Sequence, residues 1–268
     1  MPEGHTIHRH ARTHTAELGG QRLAVSSPQG WASEAAEAVD GKLLTHVDAY
    51  GKHLLYRFED DLSIHVHLGL FGKFRRYKLP GPPARETTRL RFLGEERGMD
   101  LAGAVISRLI DPLAEDELMA RLGPDPLRPR TRVNRLRTAL ARRRIPVGSA
   151  LLDQSVIAGL GNIYRAEILF ACGIHPHRES RSLSDDEVDA IWATSKKMLA
   201  YGEKTGKIVT VPRAEAAKPL AKLTGTDRHQ VYKREHCHRC GTAVQSETMA
   251  ARTMFWCPVC QPAAGASA

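Results

Sequence analysis

The stretch from Ser149 to Cys172 reads SALLDQSVIAGLGNIYRAEILFAC. It contains two apolar segments, residues 149–157 and 162–172, which we predict to be helices. Ala158-Gly159-Leu160-Gly161 joins them, and by itself this tetrapeptide indicates no more than a turn. The stretch therefore predicts two helices connected by a tight turn, and it sets the architecture of the second half of the chain.

The residues around this pair are also helical in pattern. Residues 123–132 contain three prolines and a glycine, which mark a linker between two domains. Residues 133–144 form a basic predicted helix, and Ser184 with Glu187 makes a capping box that starts another. Residues 202–233 show no strong periodicity, so we expect a mobile loop there.

The first half of the chain has the pattern of a β-sandwich. Apolar and polar residues alternate, or β-branched and aromatic residues cluster, in five segments: residues 21–27, 42–58, 62–79, 87–93 and 104–110. A helix over residues 5–18 precedes them. We therefore predict an α+β fold, with an N-terminal β-sandwich flanked by helices and a helical C-terminal domain.

Four cysteines near the end of the chain have the spacing of a zinc site. Cys237-x2-Cys240 and Cys257-x2-Cys260 are separated by sixteen residues, which suit a β-hairpin. Four thiolates leave no open position on the metal, so the Zn²⁺ should be structural. The alternative of four unrelated reduced thiols does not account for the spacing. The predicted parts of the chain are thus a sandwich domain (1–122), a linker (123–132), a helical domain (133–230), a zinc-finger hairpin (231–262) and a disordered tail (263–268).

The composition indicates the kind of partner. The 268 residues carry 39 Lys+Arg against 30 Asp+Glu, a formal net charge of +9. This excess points to a polyanion, most simply nucleic acid. No run approaches the length of a transmembrane helix, and the first residues lack the features of a secretory signal. We therefore expect a cytoplasmic protein that has no membrane partner and no disulfides.

Proline at position 2 permits removal of Met1, which would leave a free secondary amine. Because α-amino groups titrate well below lysine, roughly a quarter of such amines would be neutral and nucleophilic near neutral pH. A secondary amine that attacks a sugar C1′ gives a cationic iminium. This iminium can act as an electron sink, which allows neighbouring substituents of the sugar to be eliminated. Glu3 lies beside it and could donate a proton. An ordinary processed terminus is the alternative.

Four motifs occur in order along the chain: Met1-Pro2-Glu3-Gly4; Tyr50-Gly51-Lys52-His53-Leu54-Leu55; Leu151-Leu152-Asp153-Gln154 followed by Gly159-Leu160-Gly161-Asn162-Ile163-Tyr164-Arg165-Ala166-Glu167; and Arg252-Thr253-Met254-Phe255-Trp256-Cys257. In these motifs the sequence resembles the formamidopyrimidine-DNA glycosylase and endonuclease VIII family of base excision repair enzymes. The match runs from residue 2 to about residue 261. The third motif looks like the family's helix–two-turn–helix element, and the fourth belongs to its zinc-finger hairpin.

The resemblance implies catalytic roles for three residues. Pro2 would attack C1′ of the damaged nucleotide, expel the base and form a Schiff base, with Glu3 as the acid and base. Lys52 would contact phosphate and assist the lyase step, as a cation beside a leaving phosphate can. Without the resemblance, Lys52 would be a solvated charge at a hairpin.

The resemblance also implies contacts with DNA. Asn162 and Arg252 would hold phosphates that flank the lesion, and Gly161 would let the backbone at a helix N-terminus approach a phosphate. An enzyme that extrudes a base must fill the gap left in the duplex, and we infer that Leu70, with Phe71 beside it, does so. The alternative is that Leu70 and Phe71 are core residues of a strand.

The lesion class is inferred from departures from the guanine-directed branch. That branch typically carries an Asp-Pro-Arg-Arg-Phe-Gly-like loop, and residues 95–101 (Glu-Glu-Arg-Gly-Met-Asp-Leu) do not match it. The lysine that often precedes the Leu-Asp-Gln motif there is absent, and Gly148-Ser149-Ala150 stands in its place. The Leu-Leu-Asp-Gln motif and the Phe-Trp-Cys-Pro-x-Cys ending look more like endonuclease VIII.

We therefore expect a monomeric, bifunctional DNA glycosylase/AP lyase that removes oxidised bases, mainly pyrimidines, from damaged DNA and cleaves the strand by β,δ-elimination. Its basic residues, among them Lys52, Arg252 and those of residues 132–144, should line a cleft between two domains and make binding sensitive to salt. One alternative is a non-catalytic zinc-finger protein that binds damaged or single-stranded DNA. The other is a glycosylase of the same scaffold that prefers purine lesions.

Overall fold

The computed structural model describes residues 2–263 and divides the chain after Arg121 into two compact units. Met1 and residues 264–268, which make up most of the predicted tail, lie outside the described residues. We call the part up to Arg121 unit 1 and the part from Leu122 onward unit 2. The mixed architecture, with antiparallel sheets in the first unit and helices in the second, confirms the predicted fold class.

Two antiparallel sheets and three helices form unit 1. The five-stranded sheet has the order β1 (Gln21–Arg22), β3 (Leu43–Tyr50), β4 (His53–Phe58), β5 (Ser63–His67), β9 (Ile106–Ile110). The four-stranded sheet has the order β2 (Ala24–Ser26), β7 (Thr88–Leu93), β8 (Arg97–Ala102), β6 (Lys73–Lys78). The helices are α1 (Gly4–Leu18), α2 (Ser33–Val39) and α3 (Pro112–Arg121).

Aromatic side chains join the two sheets. Tyr56 of β4 stacks on Phe92 of β7, with ring centroids 5.0 Å apart, and both are fully buried. His14 of α1 is also fully buried, and its Nδ1 lies 2.8 Å from the Tyr56 hydroxyl. This polar contact satisfies a hydroxyl that would otherwise be buried without a partner. Helix α1 is therefore tied into the sandwich core.

Hydrogen bonds fix the direction of α1 against β3. The Gly20 N–H, just beyond α1, donates to the Leu44 carbonyl (2.7 Å). Three residues further along β3, the Thr15 hydroxyl accepts from the Val47 N–H (2.8 Å) and donates to its carbonyl (3.2 Å). The helix and the strand thus run antiparallel. The start of α1 accordingly lies at the end of unit 1 where β3 turns into β4.

The strand register brings further turns to this same end. His53 pairs with His67, and His67 pairs with Ile106, so the turns β3–β4, β5–β6 and β8–β9 all lie there. We call this region the Pro2 end of unit 1. It consists of the start of α1 (residues 2–3) and the turns at residues 51–52, 68–72 and 103–105.

Unit 2 contains four helices and a two-stranded hairpin among the described residues. The helices are α4 (Asn134–Ala141), α5 (Val147–Ala150), α6 (Asn162–Ala171) and α7 (Asp185–Thr205), and the strands are β10 (Gln245–Met249) and β11 (Arg252–Trp256). The predicted capping box is confirmed, because the Ser184 side chain accepts from the Glu187 N–H and the Glu187 carboxylate accepts from the Ser184 N–H. None of the helices in residues 2–263 combines the length and apolar character needed to span a membrane.

The helix predicted over residues 149–157 is wrong in its extent, because α5 ends at Ala150 and turns follow. The Asp153 carboxylate accepts from the Ser155 N–H (2.8 Å). The Gln154 side chain accepts from the Gly159 N–H (3.0 Å) and donates to the Leu160 carbonyl (2.9 Å). Side chains of this kind compete with helical hydrogen bonds, which explains the turns.

Part of the segment predicted as a linker is packed within unit 2. The Gly123 N–H donates to the Gln154 carbonyl (2.8 Å), and the Pro124 carbonyl accepts from the Ala158 N–H (3.0 Å). Asp125 is buried and accepts from the Leu127 N–H. Proline content alone did not reveal this, because prolines also occur in buried, irregular segments whose polar groups are paired.

The segment for which we expected a mobile loop has a defined course. Helix α7 continues to Thr205, and three short 3-10 turns follow at Arg213–Glu215, Leu220–Lys222 and Gly225–Arg228. Val209, Val211 and Leu223 pack together in a small buried cluster. Irregular backbone gives no periodic signal in the sequence, although it can be fixed by buried contacts.

Candidate functional site

The start of α1 holds the first two predicted catalytic residues. Pro2 is half-buried and immediately precedes Glu3, which caps the helix and is fully buried. The Glu3 carbonyl accepts hydrogen bonds from the N–H groups of Thr6 (2.9 Å) and Ile7 (3.3 Å), and these fix the point where the helix begins. The start of α1 therefore fixes the position of Pro2 beside the strand turns of the same end.

Lys52 lies in the turn between β3 and β4. Gly51 has φ +56°, in the left-handed region that this tight turn requires and that glycine adopts without strain. The Val47 N–H binds the Thr15 hydroxyl, and this pair fixes the strand relative to the helix. Lys52 lies five residues beyond Val47 along the chain, and Glu3 lies twelve residues before Thr15. At about 3.3 Å per strand residue and 1.5 Å per helix residue, both distances are about 17–18 Å. The fold therefore brings Lys52 and Glu3 to the same end.

Three histidines lie next to Lys52 on the strands β4 and β5. His53 Nδ1 is 2.8 Å from His65 Nε2, and the ring of His67 is 4.9 Å from that of His53. Burial, followed by the positive neighbours, lowers the pKa of His53 to about 3 and that of His65 to about 4, and it also lowers the pKa of His67. These rings are neutral at pH 7. They thus add no charge beside Lys52.

Leu70 and Phe71 are exposed in the turn between β5 and β6. Their exposed fractions are 45% and 82%, so neither is a core residue of a strand. The Gly72 N–H donates to the Leu68 carbonyl (2.9 Å) and closes the turn around them. Two apolar side chains in water at a fixed turn are suited to inserting between stacked rings.

In unit 2, Asn162 is the first residue of α6, and Gly161 caps this helix in an extended conformation. The Asn162 side chain is largely buried. Its Nδ2 donates to the Thr253 carbonyl (2.9 Å). An amide nitrogen carries two hydrogens, so the second can still be donated to an anion. The start of α6, at Gly161 and Asn162, is the candidate anion site, because a helix N-terminus favours negative charge.

Arg252 is exposed at the tip of the β10–β11 hairpin. Met249 pairs with Arg252, so only Ala250 and Ala251 form the turn, with φ +52° and +57°. Such a turn normally carries Asn-Gly, and alanine in the left-handed region is strained by about 1 kcal/mol per residue. The Thr253 carbonyl, next to Arg252, is the group that Asn162 binds. The hairpin tip and the start of α6 are therefore joined directly.

The four predicted metal ligands come together. The Sγ atoms of Cys237, Cys240, Cys257 and Cys260 all lie within 4.8 Å of one another, with Cys237–Cys260 at 3.9 Å and Cys240–Cys257 at 3.5 Å. A tetrahedron with Zn–S bonds of about 2.3 Å has sulfur atoms about 3.8 Å apart, so the cluster fits one metal ion. Among the described residues, no other group of His, Cys, Asp and Glu meets this criterion.

Both units match models of one protein family. Residues 1–103 match the formamidopyrimidine-DNA glycosylase N-terminal domain, and residues 122–212 match the formamidopyrimidine-DNA glycosylase H2TH domain. The chain belongs to the formamidopyrimidine-DNA glycosylase and endonuclease VIII family. This confirms the family predicted from the four motifs and places the chain among the DNA glycosylases of base excision repair.

Individual members of the family show similarity over nearly the whole chain. Endonuclease 8 1 of Mycobacterium tuberculosis is 39% identical and covers 97% of this chain and 100% of the relative. Formamidopyrimidine-DNA glycosylase of Thermomicrobium roseum is 33% identical over 79% of each chain. The higher identity to the endonuclease 8 protein agrees with the predicted branch.

The Lactococcus lactis Fpg, solved in complex with DNA containing an abasic site, shares the fold. Its TM-score is 0.80 at 23% identity, over 97% of this chain and 100% of that one.

Two buried charges on α6 were not predicted as functional, and the first of them supports Asn162 and Arg252. Arg165 is fully buried on α6, and it donates to the Asn162 side chain (2.7 Å) and to the Arg252 carbonyl (3.2 Å). It also donates to the carbonyls of Gly148 (3.0 Å) and Met249 (3.2 Å). The sequence contained a signal, since Arg165 and Glu167 are opposite charges inside an otherwise apolar helix.

Glu167 organises a different part of unit 2. Its buried carboxylate accepts hydrogen bonds from the N–H groups of Gln230 (2.8 Å), Val231 (2.9 Å) and Tyr232 (2.7 Å), and from the Thr210 hydroxyl. These donors satisfy a carboxylate that would be costly to bury without partners. Glu167 therefore fixes both ends of the irregular segment that follows α7.

We expect Arg165→Met to lower the free energy of unfolding of unit 2 by about 3 kcal/mol or more, because it leaves several buried acceptors without a donor. Urea unfolding followed by circular dichroism measures this loss. Arg142→Met, at an exposed arginine just after α4, is the control and should cost less than about 0.5 kcal/mol. Equal losses in the two variants would show that the Arg165 network does not stabilise the unit.

Proposed function

We propose that this protein is a bifunctional DNA glycosylase/AP lyase that removes oxidised pyrimidines from damaged DNA and then cleaves the strand by β,δ-elimination. The observation that carries this proposal is the position of Pro2, Glu3 and Lys52 at one end of unit 1. An amine nucleophile, a buried carboxyl and a cation are the groups that this chemistry needs. A protein that only binds DNA has no use for them together.

In the first step, the amine of Pro2 attacks C1′ of the damaged nucleotide. The N–C1′ bond forms as the glycosidic bond breaks, and the base leaves with the bonding electron pair and takes up a proton. Glu3 is the proposed source of the proton that opens the sugar or reaches the base. The nitrogen then loses its proton, its electron pair breaks the bond between C1′ and the ring oxygen O4′, and O4′ takes up a proton. The product is a ring-opened iminium in which the Pro2 nitrogen carries the positive charge.

The iminium then drives strand cleavage. Loss of a C2′ proton allows the electron pair to expel the 3′ phosphate, and a second elimination expels the 5′ phosphate. Lys52 is placed to stabilise the leaving phosphates. Water finally releases the sugar fragment from Pro2. Since the neighbouring histidines are neutral at pH 7, Lys52 would be the cation that assists this departure.

Residues of unit 2 and an exposed turn of unit 1 support DNA binding in this proposal. The free amide hydrogen of Asn162, the helix start at Gly161 and the guanidinium of Arg252 would hold phosphates beside the lesion. Leu70 and Phe71 would fill the gap left by the extruded base, which their exposure supports.

The preference for pyrimidines rests on the connection between β7 and β8. The Gly94 N–H donates to the Arg97 carbonyl (2.9 Å), so the two strands are joined by a tight turn. The stretch that starts in this turn, residues 95–101, reads Glu-Glu-Arg-Gly-Met-Asp-Leu and does not match the Asp-Pro-Arg-Arg-Phe-Gly-like loop of the guanine-directed branch. It contains no aromatic ring, and two acidic residues occupy the turn.

We further propose that the metal at the four cysteines is Zn²⁺. Four thiolates in a tetrahedron are the donor set of a structural zinc site. The metal would hold the two knuckles on either side of the β10–β11 hairpin and thereby the position of Arg252.

Borohydride should trap a covalent adduct between the protein and DNA that contains an oxidised pyrimidine, linked through Pro2 once Met1 is removed. Mass spectrometry of the digested adduct identifies the linked residue. Pro2→Leu, whose bulky second residue retains Met1, should trap less than about 1% as much. Pro2→Gly is the matched control, since it loses Met1 and offers a primary amine. Undiminished trapping in Pro2→Leu would exclude the terminal amine as nucleophile.

Glu3→Gln should slow base removal by about 100-fold or more, because the amide cannot donate a proton as an acid does. Cleavage of a preformed abasic site should fall much less, since no base has to leave. Single-turnover rates on the two substrates measure both effects. Similar losses on both substrates would count against Glu3 as the acid for base departure.

Purified protein should contain one equivalent of Zn²⁺, and a chelator should remove it and lower the melting temperature. Cys257→Ser should lose the metal because three thiolates no longer close the tetrahedron. Cys172→Ser is the control, since Cys172 lies outside the cluster and should leave the zinc content unchanged. A metal-free wild-type protein with the same melting temperature would refute the structural zinc.

A further inference from the structure

An exposed tryptophan adjoins the Pro2 end, and neither the proposed reaction nor the proposed DNA contacts use it. Trp31 is 64% exposed in the loop between β2 and α2. The Arg89 guanidinium lies over its ring, 4.4 Å from the centroid, and also donates to the Ala104 carbonyl. Ala104 is in the β8–β9 turn, so this contact connects Trp31 to the Pro2 end.

The apolar surface around this contact is continuous with the exposed turn. Val105, which is 58% exposed, follows Ala104, and its side chain packs so closely on Gly69 that a methyl group there would lie 2.6 Å from it. Gly69 immediately precedes Leu70 and Phe71. Four large exposed apolar side chains thus lie at this end of unit 1: Trp31, Leu70, Phe71 and Val105.

The loop that carries Trp31 is held rigidly. The Ser27 hydroxyl donates to the Arg89 carbonyl (2.7 Å) and accepts from the Ala32 N–H (3.0 Å). The Gln29 N–H donates to the Thr88 carbonyl (3.1 Å). Ser27 and Gln29 tie the loop to β7 before Trp31, and Ala32 is bound back to Ser27 after it. Because Arg89 also packs on the ring, the indole is ordered before a ligand arrives, and binding costs little conformational entropy.

Arg89 covers one face of the indole. Because Trp31 is largely exposed, a ligand can reach the rest of the ring. A ring stacked on a guanidinium is a flat surface with a positive charge beneath it. Nucleic acid bases stack on such a surface whatever their sequence, because each base has a π face. In a paired duplex the faces of the bases are already covered by their neighbours. The indole is therefore suited to an unpaired base.

Cations lie beside this surface. Lys73, Arg75 and Arg85 line a cavity of about 330 Å³ together with Thr87 and Thr88, which directly precede Arg89. Asp100 also lines the cavity, but its carboxylate is held by Arg91 (2.8 Å) and by the Tyr77 hydroxyl (2.9 Å). The charge that remains for a ligand is positive. Lys73 and Arg75 are two residues apart on β6, about 6.8 Å, which suits successive groups of an extended backbone.

We propose that Trp31, backed by Arg89, is a stacking platform for an unpaired base of single-stranded DNA, and that Lys73, Arg75 and Arg85 hold the phosphates of the same strand. This site rests on the proposed function only in that the ligand is DNA. It gives the protein a hold on unpaired DNA that does not depend on a lesion. The protein then binds single-stranded or locally opened DNA in addition to paired duplex.

Binding of lesion-free oligo(dT) to the full chain tests the platform without any catalysis. Oligo(dT) should quench the fluorescence of the wild-type protein, and Trp31→Phe should remove that quenching while Trp192 and Trp256 stay in place. Trp31→Ala should weaken oligo(dT) binding by about 5- to 140-fold, the range expected for one lost stacking contact. Binding to a fully paired, lesion-free duplex should change by less than about twofold.

Leu113→Ala is the matched control for Trp31→Ala, since Leu113 is 73% exposed on α3 of the same unit and should leave oligo(dT) binding unchanged. For oligo(dT), the logarithm of the association constant falls linearly with the logarithm of the salt concentration. The double variant Lys73→Gln/Arg75→Gln should make this slope less negative by about 1.4. Its control, Arg22→Gln/Lys42→Gln, removes two charges that pair with Glu59 and Asp60 and should leave the slope unchanged.

Quenching that persists in Trp31→Phe, or unchanged oligo(dT) affinity in Trp31→Ala, would overturn the platform. Equal weakening of duplex and oligo(dT) binding would show that Trp31 contacts paired DNA instead. Competition by polyglutamate as strong as by oligo(dT) would make the surface a general anion site. If borohydride trapping at Pro2 fails while oligo(dT) binding depends on Trp31, the proposed reaction fails and the platform stands.

Discussion

The geometry of unit 2 depends on the requirement that buried charges on α6 be paired. Arg165 and Glu167 are both fully buried, and an unpaired charge at either position would cost several kcal/mol. Arg165 meets the requirement by binding Asn162 and three carbonyls, two of which flank the turn of the zinc-finger hairpin. The same contacts that satisfy a buried guanidinium therefore set the positions of Asn162 and Arg252.

In unit 1, the register of the strands and of α1 sets the positions of the candidate catalytic residues. Hydrogen bonds between antiparallel elements place the start of α1 and three strand turns at one end, where Pro2, Glu3 and Lys52 lie. The charge pattern agrees with the proposed chemistry, because burial keeps the histidines beside Lys52 neutral. The net charge of +9 indicated a polyanion, and part of that charge, at Lys73 and Arg75 of β6, directly follows the exposed apolar turn that carries Leu70 and Phe71.

Much of the architecture was accessible from the sequence. Alternation predicted the sandwich, the capping box predicted the start of α7, and the cysteine spacing predicted a cluster whose sulfur atoms indeed meet. The helix over residues 149–157 was predicted too long because side chains of Asp153 and Gln154 bind the local backbone. The exposure of Leu70 and Phe71 could not be read from the sequence, since apolar turn residues and apolar strand residues look alike.

By itself the sequence determined the candidate reagents and the local elements: Pro2 beside Glu3, the spacing of the four cysteines, the order of the family motifs and the periodicity of strands and helices. These depend on residue types and on spacings of a few positions. Only the tertiary structure decided which groups meet, because burial and pairing involve residues far apart, such as Arg165 and Arg252, or Trp31 and Arg89. It is the packing of unit 1 that stacks an exposed indole on a guanidinium beside the Pro2 end.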